Sequence, residues 1–471
     1  MDWHAIGLEL GVLALAVLIL AWDLTVAHGP RASRRSAFVV GSLGLAALIG
    51  FSFTLPTGVS FSAALVQDGF ALFTKQVLLV AAFLAVLAAW PYAEQRGWSS
   101  RSGEFLVLLL FSLVGGMALV SSREFLTMFV AFELLSLPIY SLAAIEKTRP
   151  EAPEGALKIF LFGSVSSAFL LLGFGLVFAA TGTTFWQELP PGTSLGAPFA
   201  LALLLVLVGF GFKIAMFPFY MWVPDTYQAA PTPLVAFLSV APKAAGIATL
   251  FRLYFEVFQP QAPDLTHWYA VLAALTMIAG NLLALPQTHL KRLLAYSGVA
   301  QIGYVLLALA AGTPFAAGMA LFFFVAYLFS NMGAFFCVAA IETAGEEPTI
   351  HGVRNLVRRS PALAAAFLVF LLSLGGIPFV LGFWGKMYVF IAAAKAGLWW
   401  LVFLGAMLAV VALYYYLNVG RAMFINQDDG PEVAVPPMIM LAIVICVLLV
   451  AGGGLVPQWF VEPALRAIAS F

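Results

Sequence analysis

Residues 198–222 read PFALALLLVLVGFGFKIAMFPFYMW and contain a single charged side chain, Lys213. A helix crosses the hydrocarbon of a bilayer with roughly 20 apolar residues, so this stretch is long enough to span a membrane. Pro218 follows the lysine after four apolar residues. A proline inside a helix removes a backbone donor and collides with the preceding turn. The stretch therefore predicts a membrane helix that is interrupted beside a buried lysine.

The rest of the chain is also strongly apolar and poor in charge. Its 471 residues are 63% hydrophobic and only 9% charged, whereas soluble domains carry about 25% charged residues. This composition excludes a soluble enzyme. The 22 basic residues balance the 22 acidic ones, which argues against a nucleic-acid partner or a polybasic surface binder. Two distant cysteines, Cys337 and Cys446, and five scattered histidines predict no metal and no cofactor bound by this chain.

About fourteen apolar spans can be counted along the chain, joined by short connections. We expect the first span to be a retained helix, because Arg31 follows it closely without a small-residue cleavage site. The predicted fold is an all-α polytopic membrane protein, with 1–471 forming one membrane unit. The predicted spans are 5–22, 37–55, 69–90, 104–121, 124–145, 155–181, 198–222, 231–255, 268–286, 290–312, 315–341, 361–394, 397–420 and 434–457.

The distribution of Lys and Arg predicts the orientation, because cytoplasmic loops are enriched in both. Loops after odd-numbered spans hold thirteen of these residues: Arg31, Arg34, Arg35, Arg96, Arg101, Lys147, Arg149, Lys291, Arg292, Arg354, Arg358, Arg359 and Arg421. The opposite side holds four: Arg123, Arg252, Lys395 and Arg466. We therefore expect a multi-pass protein of the bacterial inner (plasma) membrane, with both termini in the periplasm.

Five lysines fall inside or just within the spans: Lys75, Lys158, Lys213, Lys243 and Lys386. A lysine at mid-bilayer costs about 2.5–3.5 kcal/mol on insertion scales, and intramembrane ionisable groups mark proton or ion paths. The last three are the deepest and are flanked by Pro or Gly. Lys75 is close enough to the end of its span to reach the interface by snorkelling. For Lys158, a structural role and a functional role are equally compatible with the sequence.

One acidic residue, Glu133, matches these lysines in depth. It lies in the middle of the fifth span, where an unpaired carboxylate is costly, so we expect it to be protonated or paired with a lysine. Acids nearer the span ends, including Asp68, Asp225 and the Glu346–Glu347 pair, are interpreted as solvated loop charges.

Two spans are interrupted, the seventh at Pro218 and the twelfth at Pro378 within Gly375-Gly376-Ile377-Pro378. They lie five spans apart, and each holds a lysine. Two inverted five-helix repeats, spans 4–8 and 9–13, would place a broken helix fourth in each, as in secondary transporters. Two unrelated proline kinks are the alternative. The predicted divisions are three N-terminal helices (1–100), a first repeat (101–258), a second repeat (264–425), and the last helix with its tail (430–471).

Four stretches are characteristic of a known family: KIAMFPFYMWVPDTYQAAPTPLVAFLSVAPK at 213–243, FELLSLP at 132–138, KRLLAYSGVAQIGY at 291–304 and GIPFVLGFWGK at 376–386. Together they make residues 100–425 closely resemble the proton-conducting, antiporter-like membrane subunits of respiratory complex I, NADH-quinone oxidoreductase. The lysine at position 386 makes the N type the most similar of the three such subunits.

The resemblance implies a role for several residues. Glu133 corresponds to a glutamate that pairs with the lysine of the seventh span, here Lys213. Lys243 corresponds to a central lysine and Lys386 to one on the exit side, while Lys158 corresponds to a lysine of the sixth span with a less certain role. The Lys291-Arg292 pair is interpreted as a topology signal. Polar side chains that could hold water between the lysines are Ser239, Tyr296, Ser297 and Tyr304.

The function expected on this basis is translocation of protons from cytoplasm to periplasm, coupled to quinone reduction in other subunits. The chain would act as a subunit of a translocase with no redox chemistry of its own. FMN, iron–sulfur clusters and quinone would be bound by partner subunits, and other antiporter-like subunits would be its neighbours in the membrane. The alternatives are a subunit of an Mrp-type sodium/proton antiporter, a membrane-hydrogenase-type subunit, and a scaffold whose channels are inactive.

Overall fold

A computed structural model of the protein describes residues 3–25, 31–60, 63–147, 149–189, 196–259, 265–425 and 431–469. It is almost entirely helical. The helices are α1 Gly7–Thr25, α2 Arg31–Ser52, α3 Gly69–Gln95, α4 Ser102–Ser121, α5 Phe125–Ala143, α6 Glu151–Thr181, α7 Gly196–Ile214, α8 Trp222–Ala229, α9 Thr232–Leu253, α10 Leu265–Ala284, α11 Leu290–Ala311, α12 Pro314–Thr343, α13 Leu356–Arg359, α14 Pro361–Gly375, α15 Leu381–Lys395, α16 Trp399–Phe424, α17 Pro437–Leu455 and α18 Gln458–Ile468. A two-stranded antiparallel hairpin, β1 Gly58–Ser60 and β2 Leu65–Gln67, precedes α3.

Within the described residues, twelve helices are long and apolar enough to cross a membrane. These twelve correspond to all the predicted spans except the seventh and the twelfth, which the structure divides into the shorter helices α7 with α8 and α14 with α15. The predicted fold class is therefore confirmed. The predicted domain limits are not tested by the structure, and the limits at 1, 264, 430 and 471 lie outside the described residues.

Both interruptions lie where the sequence predicts them, and each begins at a residue with unusual backbone geometry. α7 ends at Ile214, and Ala215 has a φ of +61°. α14 ends at Gly375, and Gly376 has a φ of +87°. A positive φ cannot continue a right-handed helix, and at position 376 glycine adopts it without steric cost. Each break leaves the last carbonyls of a half-helix without helical partners.

Three helices form the centre of the molecule. The apolar segments of α9 and α12 are buried along their whole length and that of α11 almost so. Outer helices such as α6 and α16 instead expose Phe162, Leu172 and Phe403, as expected for surfaces that face lipid hydrocarbon. The polar groups carried by the three central helices are therefore shielded from lipid by the surrounding ones.

Candidate functional site

Lys213 lies in the last turn of α7, directly before the break. Its Nζ donates a hydrogen bond to Ser136 Oγ of α5 and lies 4.4 Å from the centroid of the Phe132 ring. A Cβ built on Gly246 of α9 would lie 3.4 Å from Lys213 Cγ, so the lysine stem packs directly on α9. A cation is stabilised at the C-terminal end of a helix by the helix dipole and the free carbonyls. The broken helix therefore provides a favourable place for the Lys213 ammonium.

Glu133 lies one turn before Ser136 on α5. Its carboxylate accepts a hydrogen bond from Ser167 of α6, and within the described part of the chain no ion pair of 4.0 Å or less joins it to Lys213. The two side chains are still close enough for electrostatic interaction. From the sequence, Glu133 was expected to be protonated or paired with a lysine; in the structure its carboxylate is bonded by Ser167, and Lys213 has a separate hydrogen bond to Ser136.

Lys243 occupies the middle of α9 and is 1% exposed. Its Nζ has no hydrogen-bond partner among the described residues and lies 5.8 Å from the centroid of the Tyr227 ring. A Cβ at Gly298 of α11 would lie 3.2 Å from this Nζ and 2.9 Å from Tyr327 Oη of α12. The glycine thus leaves room for two buried polar atoms beside one another. A buried ammonium without partners is costly, so this position requires water whenever the lysine is protonated.

Lys386 lies on α15, the second half of the other broken helix. Its Nζ donates to the carbonyl of Leu374 at 2.7 Å and to that of Gly375 at 3.1 Å, the last two residues of α14. The same Nζ lies 4.9 Å from the centroid of the Tyr304 ring. The ammonium therefore satisfies carbonyls that the break leaves free, and it lies at the negative end of the α14 dipole.

A small cavity lies beside Lys386 and reaches Tyr327, whose hydroxyl faces Gly298 as Lys243 Nζ does. It has a volume of about 10 Å³ and is lined by Lys386, Gln301, Tyr327, Ser330 and Ser373, among others. About 10–15 Å³ is the smallest volume that holds one water molecule. Because Tyr327 reaches both this cavity and the space beside Lys243, the two lysines share one polar region. We name the line Lys213, Lys243, Tyr327 and Lys386 the polar axis.

The predicted water-holding residues fall in two groups. Ser239 accepts a 2.6 Å hydrogen bond from Asn331 of α12 and lies one turn before Lys243. Ser297 precedes Gly298, and Tyr304 contacts Lys386; all three belong to the surroundings of the polar axis. Tyr296 is instead only partly buried and packs against Tyr220, with ring centroids 6.4 Å apart.

Two of the five lysines lie away from the polar axis. The Lys158 side chain is 37% exposed and forms ion pairs with Asp225 at 2.7 Å and Glu154 at 2.8 Å. Lys75 is fully buried, 2.6 Å from Glu9 and 3.1 Å from Gln67. The expectation that Lys75 snorkels is therefore wrong, because a buried carboxylate compensates its charge where it stands.

Several charges that the sequence placed in solvated loops or at topology signals form ion pairs in the structure, and one of these pairs is buried. Arg252 is fully buried and donates to both carboxylate oxygens of Asp68, each at 2.8 Å. Burial alone would raise the pKa of Asp68, but the charge and hydrogen bonds of Arg252 hold it below its usual value. Asp225 accepts from Arg292 at 2.7 Å as well as from Lys158. Glu346 is paired with Arg359.

Glu342, at the end of α12, is a buried charged residue that was not predicted from the sequence. It is 5% exposed; its carboxylate accepts from Tyr92 at 2.9 Å and from Thr232, and it lies 3.6 Å from Lys291 Nζ. Lys291 was interpreted as a topology signal, yet it is fully buried. The only local sign was that Glu342 directly follows the apolar run that ends at Ile341. Without Lys291 and Arg252, the loops after odd-numbered spans hold twelve basic residues and the opposite side holds three. The predicted orientation is therefore unchanged.

No cluster of three or more His, Cys, Asp or Glu residues able to bind a metal ion is present in the described segments. The chemistry of the polar axis is that of single titratable amines, hydroxyls and backbone carbonyls. The amines can accept, hold and release protons, while the hydroxyls and carbonyls supply hydrogen bonds.

Comparison with known proteins agrees with this chemistry. Residues 122–412 match the family described as NADH:quinone oxidoreductase/Mrp antiporter, TM. NADH-quinone oxidoreductase subunit N of Moorella thermoacetica is 36% identical, over 99% of this chain and 98% of the relative. A chain of respiratory complex I from Thermus thermophilus is 36% identical with a TM-score of 0.81, over 97% of this chain and 99% of that one.

A chain of the Mrp complex from Dietzia sp. is 20% identical with a TM-score of 0.85, over 100% of this chain and 98% of that one, which shows a shared fold. The matched residues contain the polar axis and both broken helices. On the family match and on the identity over nearly the whole length, the chain belongs to the NADH:quinone oxidoreductase/Mrp antiporter family of membrane proteins.

Proposed function

We propose that this chain is the proton-translocating, N-type antiporter-like subunit of an NADH-quinone oxidoreductase of the complex I kind. The observation that carries the proposal is the polar axis, in which three buried lysines lie on α7, α9 and α15, and these helices pack at the centre of the molecule, α7 on α9 and both α9 and α15 on α12. Burial of three lysines is costly in a membrane. A structural role does not explain it, because small residues and hydroxyls are sufficient to hold membrane helices together.

The three lysines differ in how they stabilise a bound proton. Lys213 and Lys386 each lie at the C-terminal end of a broken helix and donate to a hydroxyl or to free carbonyls. Lys243 has no such partner among the described residues. Protons therefore reside preferentially at the two end lysines and cross Lys243 as a transient, hydrated carrier. Like charges repel strongly in a medium of low dielectric constant, so a proton at one site disfavours a second proton nearby.

Glu133 controls this process at the Lys213 end. Its carboxylate, which accepts a hydrogen bond from Ser167, stabilises the Lys213 ammonium through its charge. If the carboxylate moves away or becomes protonated, Lys213 holds its proton less strongly, and the proton moves towards Lys243.

The energy for translocation comes from electron transfer in other subunits. In this proposal FMN, iron–sulfur clusters and quinone are bound by partner chains, and this chain contributes no redox group. Loops that follow odd-numbered spans face the cytoplasm, both termini face the periplasm, and protons move from cytoplasm to periplasm. The 36% identity to complex I subunits over nearly the whole chain supports this choice over an Mrp-type antiporter.

The Lys243→Ala variant tests the proposal in the intact complex reconstituted in liposomes. Proton uptake and NADH oxidation measured together give the number of protons translocated per electron, which we expect to fall. Lys395→Ala, which changes an exposed lysine off the polar axis, is the matched control and should keep the full ratio. An unchanged ratio in the Lys243→Ala complex would contradict the proposal.

A further inference from the structure

An open pocket lies where the loop between α12 and α13 meets the start of α11. Its volume is about 370 Å³, and its lining includes Arg96, Arg149, His289, Glu342, Glu346 and Glu347. At roughly 30 Å³ per molecule, this volume accommodates about a dozen waters. The pocket borders loops that follow odd-numbered spans, and none of the residues assigned to the polar axis lines it.

The base of this pocket is formed by the buried pair Glu342 and Lys291. Glu342 lines the pocket although its side chain is only 3% exposed, and the Lys291 Nζ behind it donates to the carbonyl of Ala230 at 2.7 Å. Thr232, the first residue of α9, donates to the same Glu342 carboxylate. Glu342 is thus accessible to pocket water on one side and bonded to the helix of Lys243 on the other.

The charges in the lining suit water and protons better than an anion or a metal ion. Glu342 is compensated by Lys291 at 3.6 Å and Arg96 at 4.0 Å, and Glu346 by Arg359. Neither an excess of positive charge nor a set of free carboxylates remains to select an ion. The Nδ1 atom of His289 is buried without a hydrogen-bond partner in the described segments, as expected for a group that bonds to water.

From this base, two helix faces lead to Lys243. Lys291 and Gly298 are seven residues apart on α11 and therefore lie on the same face, about 10 Å apart along the helix. Gly298 faces Lys243, because a Cβ built on it would lie 3.2 Å from Lys243 Nζ. On α9, Thr232, Ser239 and Lys243 follow at spacings of seven and four, again on a single face. Asn331 of α12 bonds to Ser239 between them.

We infer that this pocket is the aqueous port of the polar axis and that Glu342, held by Lys291, is its first proton-exchanging group. A hydrated proton from the pocket forms an O–H bond with the Glu342 carboxylate. That bond then breaks as the proton passes, through water along the Thr232–Ser239 face of α9, to the neutral amine of Lys243, and the carboxylate is restored. The inference rests on the proposed function, because it assumes that Lys243 carries protons and names the side of the membrane from which those protons reach it.

The first test closes the port without changing the buried pair. Glu347→Cys places a thiol at an exposed position of the lining, and the native Cys337 and Cys446 are both buried. A bulky, membrane-impermeant maleimide is added to the reconstituted complex, with its reaction at this chain verified by mass. We expect the labelled complex to lose as much proton pumping as the Lys243→Ala complex. Lys147→Cys, exposed in a loop on the same side but outside the lining, is the control and should pump normally after labelling.

The second test removes the exchanging group. Glu342→Gln alone leaves Lys291 buried without its partner, so the double variant Glu342→Gln/Lys291→Met is compared with it. The matched control is Glu462→Gln/Arg466→Met, which removes an exposed ion pair of α18. We expect the first double variant to assemble and oxidise NADH but to lose pumping to the level of Lys243→Ala, and the control to lose none.

The outcomes separate the inference from the proposed function. If Lys243→Ala lowers pumping while the labelled Glu347→Cys complex and the Glu342→Gln/Lys291→Met complex pump fully, the port is wrong and the proposed function stands. If the Lys243→Ala complex itself pumps fully, the proposed function is wrong, and the inference that rests on it is wrong as well.

Discussion

Gly298→Ala places a methyl group between the two buried polar atoms at the centre of the polar axis. The new Cβ would lie 3.2 Å from Lys243 Nζ and 2.9 Å from Tyr327 Oη. Ordinary contacts begin at 3.4 Å, so the amine must move by about 0.2 Å and the hydroxyl by about 0.5 Å. Both atoms are at the ends of side chains that can adjust. Overpacking a core costs roughly 1–3 kcal/mol, and the steric cost here should be at or below the low end of that range.

This variant should therefore keep its stability and lose much of its proton pumping. Replacing a glycine within a helix by alanine contributes about 0.5–1 kcal/mol of stability, which offsets most of the steric cost. The methyl group also takes the place of water beside Lys243. Loss of a hydrogen bond to a buried polar group costs about 1–3 kcal/mol, and each 1.4 kcal/mol lowers the occupancy of protonated Lys243 about tenfold. We expect a stable complex with pumping through this chain reduced roughly five- to hundredfold, the range that about 1–3 kcal/mol gives.

Two measurements on the same preparation check this prediction. Thermal unfolding of the purified complex reports stability, and the proton-to-electron ratio in liposomes reports translocation. Gly175→Ala on α6, where a Cβ meets no atom within 4 Å, is the control: it should gain about 0.5–1 kcal/mol of stability from its helical position and leave the proton-to-electron ratio unchanged. Normal pumping by Gly298→Ala would refute the idea that the space beside Lys243 holds the water that carries protons.

The remaining predictions concern the buried ion pairs and the pocket. Arg252→Met should lower the free energy of unfolding by about 3–5 kcal/mol, because it leaves Asp68 buried without its cation; a denaturation midpoint equal to that of the exposed Arg466→Met control would contradict this. Burial and the nearby charge of Lys291 lower the pKa of His289 to about 4 from an ordinary 6.5. Between these values the unfolded chain binds a proton that the folded chain does not, so the contribution of His289 to stability is complete above pH 6.5 and is lost as the pH falls towards 4. His289→Gln should therefore lose less thermal stability between pH 7 and pH 5 than the parent, and equal losses would contradict the assignment.

Much of the fold was predictable because hydropathy and helix breaking are local properties. Each apolar run longer than about 20 residues forms a helix in a membrane whatever its neighbours are. The break after Lys213 follows from Pro218 and its surroundings, and the break before Lys386 from Gly376 and Pro378. The depth of the lysines in their spans follows from the same counting.

The partners of the charged groups were not predictable, because they come from distant parts of the chain. Arg252 and Asp68 are 184 residues apart, and Tyr92 and Glu342 are 250 residues apart. Nothing near Asp68 or Glu342 in the sequence distinguishes either from a solvated charge at the end of a span. Only the packing of α3 against α9 and α12 shows that both are buried.

The sequence by itself determined the membrane class, the apolar spans, the two broken helices and the lysines beside them, because each depends on residues within one span. The tertiary structure decided which of these lysines lie near one another, that Lys213 bonds to Ser136 while Glu133 bonds to Ser167, and that Glu342 lines an open pocket with Lys291 buried behind it. The physical reason is that the cost of a buried charge depends on what faces it. That partner is supplied by another helix, whose position is fixed only when all the helices pack.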